Sequence, residues 1–262
     1  MIPRLIHQIY LTGELPTRLQ QHVADLRARQ PNWTHRLYRN ADAEDFILRH
    51  YGREMLGTYH RINPEYGAAR ADLLRQLIIF IEGGVYIDIK SDLLKPLDEV
   101  IGPSDQYILT QWRNGPGEVN EGFGLHPELS HIPGGEFTNH HLIGVPGHSF
   151  TEAAIKRIVS NIENYRPWSG VGKMGVVRTT GPVAYTLALH PLLNSAPHRL
   201  STEEELGILF SIKDYSHQAV FSRHYSTLTS PVVRLSAPER LAQAGVEWLR
   251  GLKQAHLGHR NG

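Results

Sequence analysis

Asp72 and Arg75 stand one helical turn apart, and Asp88 follows them across a Gly83-Gly84 turn and a Val85-Tyr86-Ile87 run of strand formers. Residues three apart share a helix face. The spacing predicts that this face looks away from the apolar stripe of Leu74, Leu77, Ile78 and Ile81. Asp88 is followed closely by Lys90, Ser91 and Asp92, which makes a compact polar cluster. Carboxylates so grouped hold a pair of hydroxyls or a hard cation such as Mg²⁺. A lysine among them neutralises phosphate oxygens as a point charge. A surface turn with an ordinary i, i+3 ion pair would show the same spacing, and spacing alone does not separate the two.

Other groups carry less. Of 16 histidines, His131, His140, His141 and His148 crowd one stretch, but without the i, i+4 helical spacing that marks many zinc sites. Gly115-Pro116-Gly117 and Gly122-Phe123-Gly124 fit a loop that closes over a ligand as well as they fit an ordered surface loop. Gly170 to Gly175, with Lys173, lacks both the order of a phosphate-binding loop and a preceding strand.

The elements that must position the polar cluster read as alternating strands and helices. Leu5 to Tyr10 is a buried-strand run, Pro16 to Arg29 a helix, His35 to Tyr38 a strand and Ala41 to Arg49 a second helix. Ala68 to Glu82 is the strongest helix, stopped by Gly83-Gly84. It leads into the strand that ends at Asp88, and in open α/β sheets ligands bind at the carboxyl ends of strands. Strands follow at Tyr107 to Trp112 and His140 to Val145. A helix from Ser149 to Tyr165 opens on a capping box with Glu152, and Gly181-Pro182 opens another to Leu189. Phe221 to Tyr225 and Pro231 to Arg234 read as late strands, and Pro238 to Leu257 as a basic amphipathic helix. This order predicts an α/β fold with a mostly parallel sheet. It also predicts a single domain over 1–262, with a ligand-binding half at 1–100, a second half at 101–235 and a C-terminal helix at 236–262.

Composition narrows the function classes. The chain has 262 residues, 27 Lys+Arg against 26 Asp+Glu, and no Cys. The formal charge of +1 supplies no field of the kind that recruits nucleic acid. Without Cys there is no disulfide scaffold, thiolate metal site or cysteine nucleophile. No run approaches the ~20 apolar residues that span a bilayer, and the opening MIPRLIHQIYL reads as a strand, so the expected location is the cytoplasm. The basic stretch 238–260 fits peripheral contact with an anionic membrane as well as packing onto the domain.

Several motifs taken together resemble glycosyltransferase family 32, the sugar-binding region containing the DXD motif. This family includes the yeast outer-chain initiating mannosyltransferase and bacterial polysaccharide glycosyltransferases. They are Ile2-Pro3-Arg4-Leu5-Ile6-His7-Gln8-Ile9-Tyr10, Pro31-Asn32-Trp33, Ala69-Arg70-Ala71-Asp72-Leu73-Leu74-Arg75, Gly83-Gly84-Val85-Tyr86-Ile87-Asp88 and Leu94-Lys95-Pro96-Leu97. The likeness is dense over 2–98 and looser through Asn139, Pro146-Gly147-His148 and Thr180-Gly181-Pro182. It implies a GT-A, Rossmann-like fold. It also implies a retaining transfer of a hexose from a UDP- or GDP-sugar to a saccharide or lipid-linked glycan. The missing cysteines, the lack of a targeting signal and the short single domain suggest a bacterial cytosolic enzyme making surface polysaccharide. A sugar-nucleotide-binding module without catalysis and a toxin-like, protein-modifying transferase are the alternatives.

The resemblance also implies roles. The donor would be bound by His7, Gln8, Ile9, Tyr10, Asp72, Arg75, Tyr86, Asp88 and Lys90. Catalysis would fall to Asp88, Lys90, Asn139 and His224, with Arg223 a further candidate cation and His140-His141 near the acceptor. A divalent cation, Mn²⁺ or Mg²⁺, would be held by Asp88, Asp92 and His224. The chain departs from the motif at its third position, which is Lys90. A protonated lysine ligates no cation. Either Asp92 takes the metal, or Lys90 replaces it, or activity is lost; the two remaining acids favour the first.

Overall fold

A computed structural model describes residues 1–166, 168–212 and 225–235. Strands β1 (Leu5–Ile9), β2 (Thr34–Tyr38), β3 (Gly84–Ile87), β5 (Tyr107–Thr110), β6 (His141–Gly144) and β7 (Arg199–Ser201) form one sheet in the order β2-β1-β3-β6-β5-β7. Neighbouring strands pair in parallel except at β6, which runs against both β3 and β5. Short strands β4 (Asp92–Leu93) and β8 (Ile208–Leu209) pair separately. The expected mostly parallel α/β architecture is the observed one.

Side-chain alternation explains why both faces are covered. Val85, Ile87, Ile108 and Ile143 point into one apolar cluster with Leu26, Leu97 and Leu206. Their strand neighbours Tyr86, Tyr107, Leu109 and Leu142 point into a larger one. That cluster holds helices α2 (Asn40–Arg61), α3 (Gly67–Glu82), α5 (Ser149–Glu163) and α7 (Pro182–Leu189). The first cluster is closed by α1 (Thr17–Arg29), α4 (Leu97–Val100) and α8 (Glu203–Leu206). Strands covered on both faces are expected to be buried along their whole length, as β3, β5 and β6 are, whereas edge strand β2 alternates.

Several local readings need correction. The helix expected at Ala41 to Arg49 continues to Arg61, because Gly52 adopts φ 78° and joins two helical pieces across a kink. His148, not Ser149, caps α5, its Nδ1 accepting from the Phe150 N–H at 3.2 Å. Helix α6 (Gly172–Thr179) was not expected; its opening Gly172 N–H donates to the Tyr66 hydroxyl at 2.9 Å. Pro231 to Arg234 is no strand but forms isolated bridges to Val171 and Ile62. The glycine-rich 111–136 stretch is pinned by Trp112 Nε1–H donating to Glu136 (2.7 Å) and Asn114 Nδ2–H donating to the Phe123 and Gly134 carbonyls. Residues 221–224 of one expected late strand, and the whole 238–257 helix, lie outside the described residues; Tyr225 opens a 3₁₀ turn to Thr227. No described helix is long and apolar enough to cross a membrane.

Candidate active site

Asp88 owes its place to a turn and a register. Gly83 and Gly84 both take positive φ (64° and 95°), and a Cβ on Gly83 would lie 2.6 Å from Pro146 Cδ. Only glycine accommodates both demands, so α3 reverses tightly into β3. Tyr86 then pairs with Leu142 and Ile87 with His141, and the next residue, Asp88, donates its backbone N–H to the His140 carbonyl at 2.8 Å. The antiparallel β6 therefore starts where the parallel strands end, which puts Asn139, His140 and His141 at the sheet edge occupied by Asp88.

Arg75 organises the charges here. Its guanidinium pairs with Asp72 and lies 3.3 Å from Asp88 Oδ1, and it stacks 5.3 Å from the Tyr86 ring centroid. Tyr86 donates its hydroxyl to Asp88 Oδ1 at 2.7 Å, and Thr180 donates to Asp72 Oδ2 at 2.8 Å. Burial, and then the Asp88 charge, pushes the Tyr86 phenol well above its usual range, so it stays a donor. Asp72 and Arg75 do share a helix face, but it is buried (5% and 4% exposed) rather than turned away from the core. The reason is that α3 is buried nearly all round, and a buried charge persists only when paired. The Asp88 side chain keeps 26% exposure. Arg75 Nε and Asn139 Nδ2 are buried donors with no protein partner.

Lys90 places its ammonium 4.2 Å from the Phe210 ring centroid. Burial lowers its pKa, Asp88 opposes that shift and Arg75 adds to it. Asp92 is drawn elsewhere, ion-paired with Arg29 on α1 and accepting the Leu93 N–H at 2.9 Å. His224 and Arg223 lie outside the described residues. The described part of the expected Asp88–Asp92–His224 cation site thus offers one carboxylate already held by Arg75 and another held by Arg29, with Lys90 between them in sequence. That donor set does not fit a divalent ion.

The opening strand is more structural than the resemblance implies. His7 is fully buried, with Nε2 2.9 Å from the Gly83 carbonyl and Nδ1 3.3 Å from the Tyr38 hydroxyl. Burial lowers its pKa to about 4. Gln8 reaches from His35 (2.8 Å) toward the Asp88 carbonyl (3.5 Å), so it braces the site. Ile9 lies in the main core, and Tyr10 packs with Leu15, Leu19 and Ile89.

Sequence reasoning missed Trp112, Phe210 and Glu203. His140 stacks on Trp112, crosses Phe210 edge-on, and places Nε2 3.1 Å from His141 Nδ1 and 3.2 Å from Glu203 Oε1. Burial pushes the Glu203 carboxyl to about 7, while it takes His141 down to about 3 and His140 well below its usual value. The available signal was the Thr202-x-x-Glu205 capping box, which starts α8 and sets Glu203 in its first turn. His131 and His148 serve elsewhere, His131 against His190 and His148 as the α5 cap.

Residues 16–108 match the model of the glycosyltransferase sugar-binding region containing DXD motif. The chain is 26% identical over 198 residues to the mannosyl phosphorylinositol ceramide synthase CSH1 of Saccharomyces cerevisiae, covering 71% of this chain and 49% of that protein. It is 29% identical over 118 residues to the initiation-specific alpha-1,6-mannosyltransferase of Candida albicans, covering 43% and 30%. The chain spans about half or less of the length of these curated relatives. Among solved structures, the UDP-bound glycosyltransferase domain of the YGT toxin superposes with TM-score 0.55 at 10% identity, over 82% of each chain. The PaToxG glycosyltransferase does so with TM-score 0.53 at 18% identity, over 74% of this chain and 70% of that one. These likenesses establish the GT-A glycosyltransferase fold. Asp72, Arg75 and Asp88 all lie inside the segment, residues 16–108, that matches the glycosyltransferase sugar-binding region containing DXD motif.

Proposed function

We propose that this chain transfers a hexose from a UDP- or GDP-sugar to a hydroxyl of a saccharide or lipid-linked glycan, with retention of configuration. The observation that carries this reading is Asp88: a partly exposed carboxylate at the end of β3, aligned by Arg75 and Tyr86. Beside it the buried Arg75 Nε and Asn139 Nδ2 donors lack protein acceptors, which suits an oxygen-rich ligand. Mannosyl donors are the first to test, because the fungal relatives are named for mannosyl transfer. A UDP-sugar is the second, because a fold neighbour was solved with UDP.

Departure of a nucleoside diphosphate develops negative charge, and preorganised positive groups in a partly dry site stabilise it. Lys90 is assigned that role, with Arg75 orienting Asp88 toward donor hydroxyls. Purified protein is assayed for donor hydrolysis and transfer against GDP- and UDP-sugars. Turnover is expected without added divalent metal, and Asp88→Asn is expected to lower it at least ~100-fold. Lys90→Asp should make turnover depend on added Mn²⁺. Full turnover by the Asp88→Asn variant would overturn the assignment.

Lys90 at the third motif position also favours a second reading, a sugar-nucleotide-binding module; donor binding with no turnover for any donor and glycan acceptor would select it. Synthesis of surface glycans on the cytoplasmic side, with membrane contact through 238–260, is the setting we infer. Cell fractionation of the full chain against one lacking those residues tests it.

A further inference from the structure

Among the described residues, His140, His141 and Glu203 are the one group of three His or acidic side chains whose ligand atoms all lie within 4.8 Å of one another. We propose that they form a binding site for a divalent metal ion of the zinc class, built beside Asp88 but independent of the DXD carboxylates. The distances suit this. His140 Nε2 stands 3.1 Å from His141 Nδ1 and 3.2 Å from Glu203 Oε1. Zinc bonds of ~2.0–2.2 Å in tetrahedral geometry separate neighbouring ligand atoms by about 3.3 Å, so the two spacings from His140 already match, and the third pair lies within 4.8 Å.

The same atoms are poorly served without a cation. His140 Nε2 carries at most one proton, yet it faces both His141 Nδ1 and the Glu203 carboxylate. Glu203 Oε1 is left buried, at ion-pair distance but without a hydrogen-bond partner. A metal ion accepts a lone pair from each of the three and removes the conflict.

The outer shell is also in place. His141 Nε2 lies 2.9 Å from Thr110 Oγ1, and Thr110 is itself bonded to the Thr138 hydroxyl. A proton on Nε2 donated to Thr110 leaves the Nδ1 lone pair facing His140 and Glu203, which is how metal-binding histidines are usually oriented. Trp112 and Phe210 fix the His140 ring from two sides. Thr202 caps α8 and holds Glu203 in its first turn. Two imidazoles and a carboxylate suit zinc rather than magnesium or calcium, and the chain has no Cys to compete. Three protein ligands leave a fourth position for water or a substrate oxygen.

The test is titration of the metal-free full chain with Zn²⁺ alone, followed by calorimetry, and with Co²⁺, followed by visible absorption. One tight equivalent and a tetrahedral Co²⁺ band are expected. Glu203→Gln should weaken binding at least ~10-fold and Thr110→Val should weaken it in the same direction, both with unchanged circular dichroism. Absence of a one-equivalent event in the wild type, or unchanged affinity in Glu203→Gln, would overturn the site. Should the variants unfold, ¹⁵N spectra of the wild-type histidine rings decide. Zn²⁺-induced shifts at His140 and His141 support the site, and shifts confined to other histidines refute it. No readout here is donor turnover, so failure of the metal site and failure of glycosyl transfer are separately visible.

Discussion

Asp88 and His140 are joined across the sheet by one backbone hydrogen bond, yet their side chains are in opposite chemical conditions. On the Asp88 side every carboxylate has a partner: Asp72 has Arg75 and Thr180, and Asp88 has Arg75 and Tyr86. On the His140 side, two uncharged rings and a carboxyl group crowd one point, and one oxygen is left over. The first region is settled by charges within the protein and presents donors to a ligand. The second is settled only by something it does not itself contain. Low dielectric makes paired charges strong and an unpaired polar group costly, so a few ångströms separate a stable scaffold from a ligand-seeking cluster.

Removing the hub of the settled region should have the largest effect on folding. Arg75→Met leaves Asp72 buried without its cation and should destabilise the fold by about 3–5 kcal/mol, read from urea unfolding. A cost near zero would mean that the buried Asp72 does not depend on the Arg75 guanidinium. Glu203→Gln, in the unsettled region, should leave the urea midpoint nearly unchanged by comparison.

A smaller effect separates the regions by pH. His7 supports the Gly83 turn, and burial lowers its pKa from 6.5 to about 4, against the raising influence of the Gly83 carbonyl and Glu82. Below pH 6.5 the unfolded chain binds a proton that the folded chain refuses. Stability is therefore full above 6.5 and declines as pH falls toward 4, by about 3 kcal/mol in total. His35, shifted in the same direction, adds to the decline. His7→Gln should flatten this slope between pH 7 and pH 5; a slope unchanged in that variant would assign it to other groups.

The smallest expected effect sharpens the contrast most. Thr202 accepts the Glu205 N–H at 3.1 Å as the cap of α8. Thr202→Ala should cost about 1 kcal/mol of stability. It should also weaken Zn²⁺ binding through Glu203 while leaving the donor binding proposed at Asp88 intact. An equal loss in both would show that the two regions are one cooperative unit.

Much of the Asp88 side was legible in the chain. Gly83-Gly84 before a run of strand formers, with a carboxylate at its end, forces the turn and exposes the acid wherever the sheet lies. The i, i+3 spacing of Asp72 and Arg75 put them together on one face of α3, but which face is buried depends on what packs there. Helical periodicity misled because α3 is buried on most sides, so the polar pair was placed on a face away from the apolar stripe. The partner of Asp92 was hidden for a related reason: closeness to Asp88 in sequence says nothing about Arg29, 63 residues earlier, which pairs with the carboxylate.

The sequence by itself determined the alternation of strands and helices, the match of residues 16–108 to the family model, the positive-φ glycine turn before β3 and the lysine that breaks the DXD motif. Those follow from local propensity, glycine's access to positive φ and residue identity, none of which needs a distant partner. Only the tertiary structure decided that Arg75 faces inward, that Asp92 belongs to Arg29, and that His140 and His141 meet Glu203 from 62 residues further along. The β3–β6 register and the packing of α8 make those meetings, and register is set by long-range burial of whole strand faces rather than by any local signal.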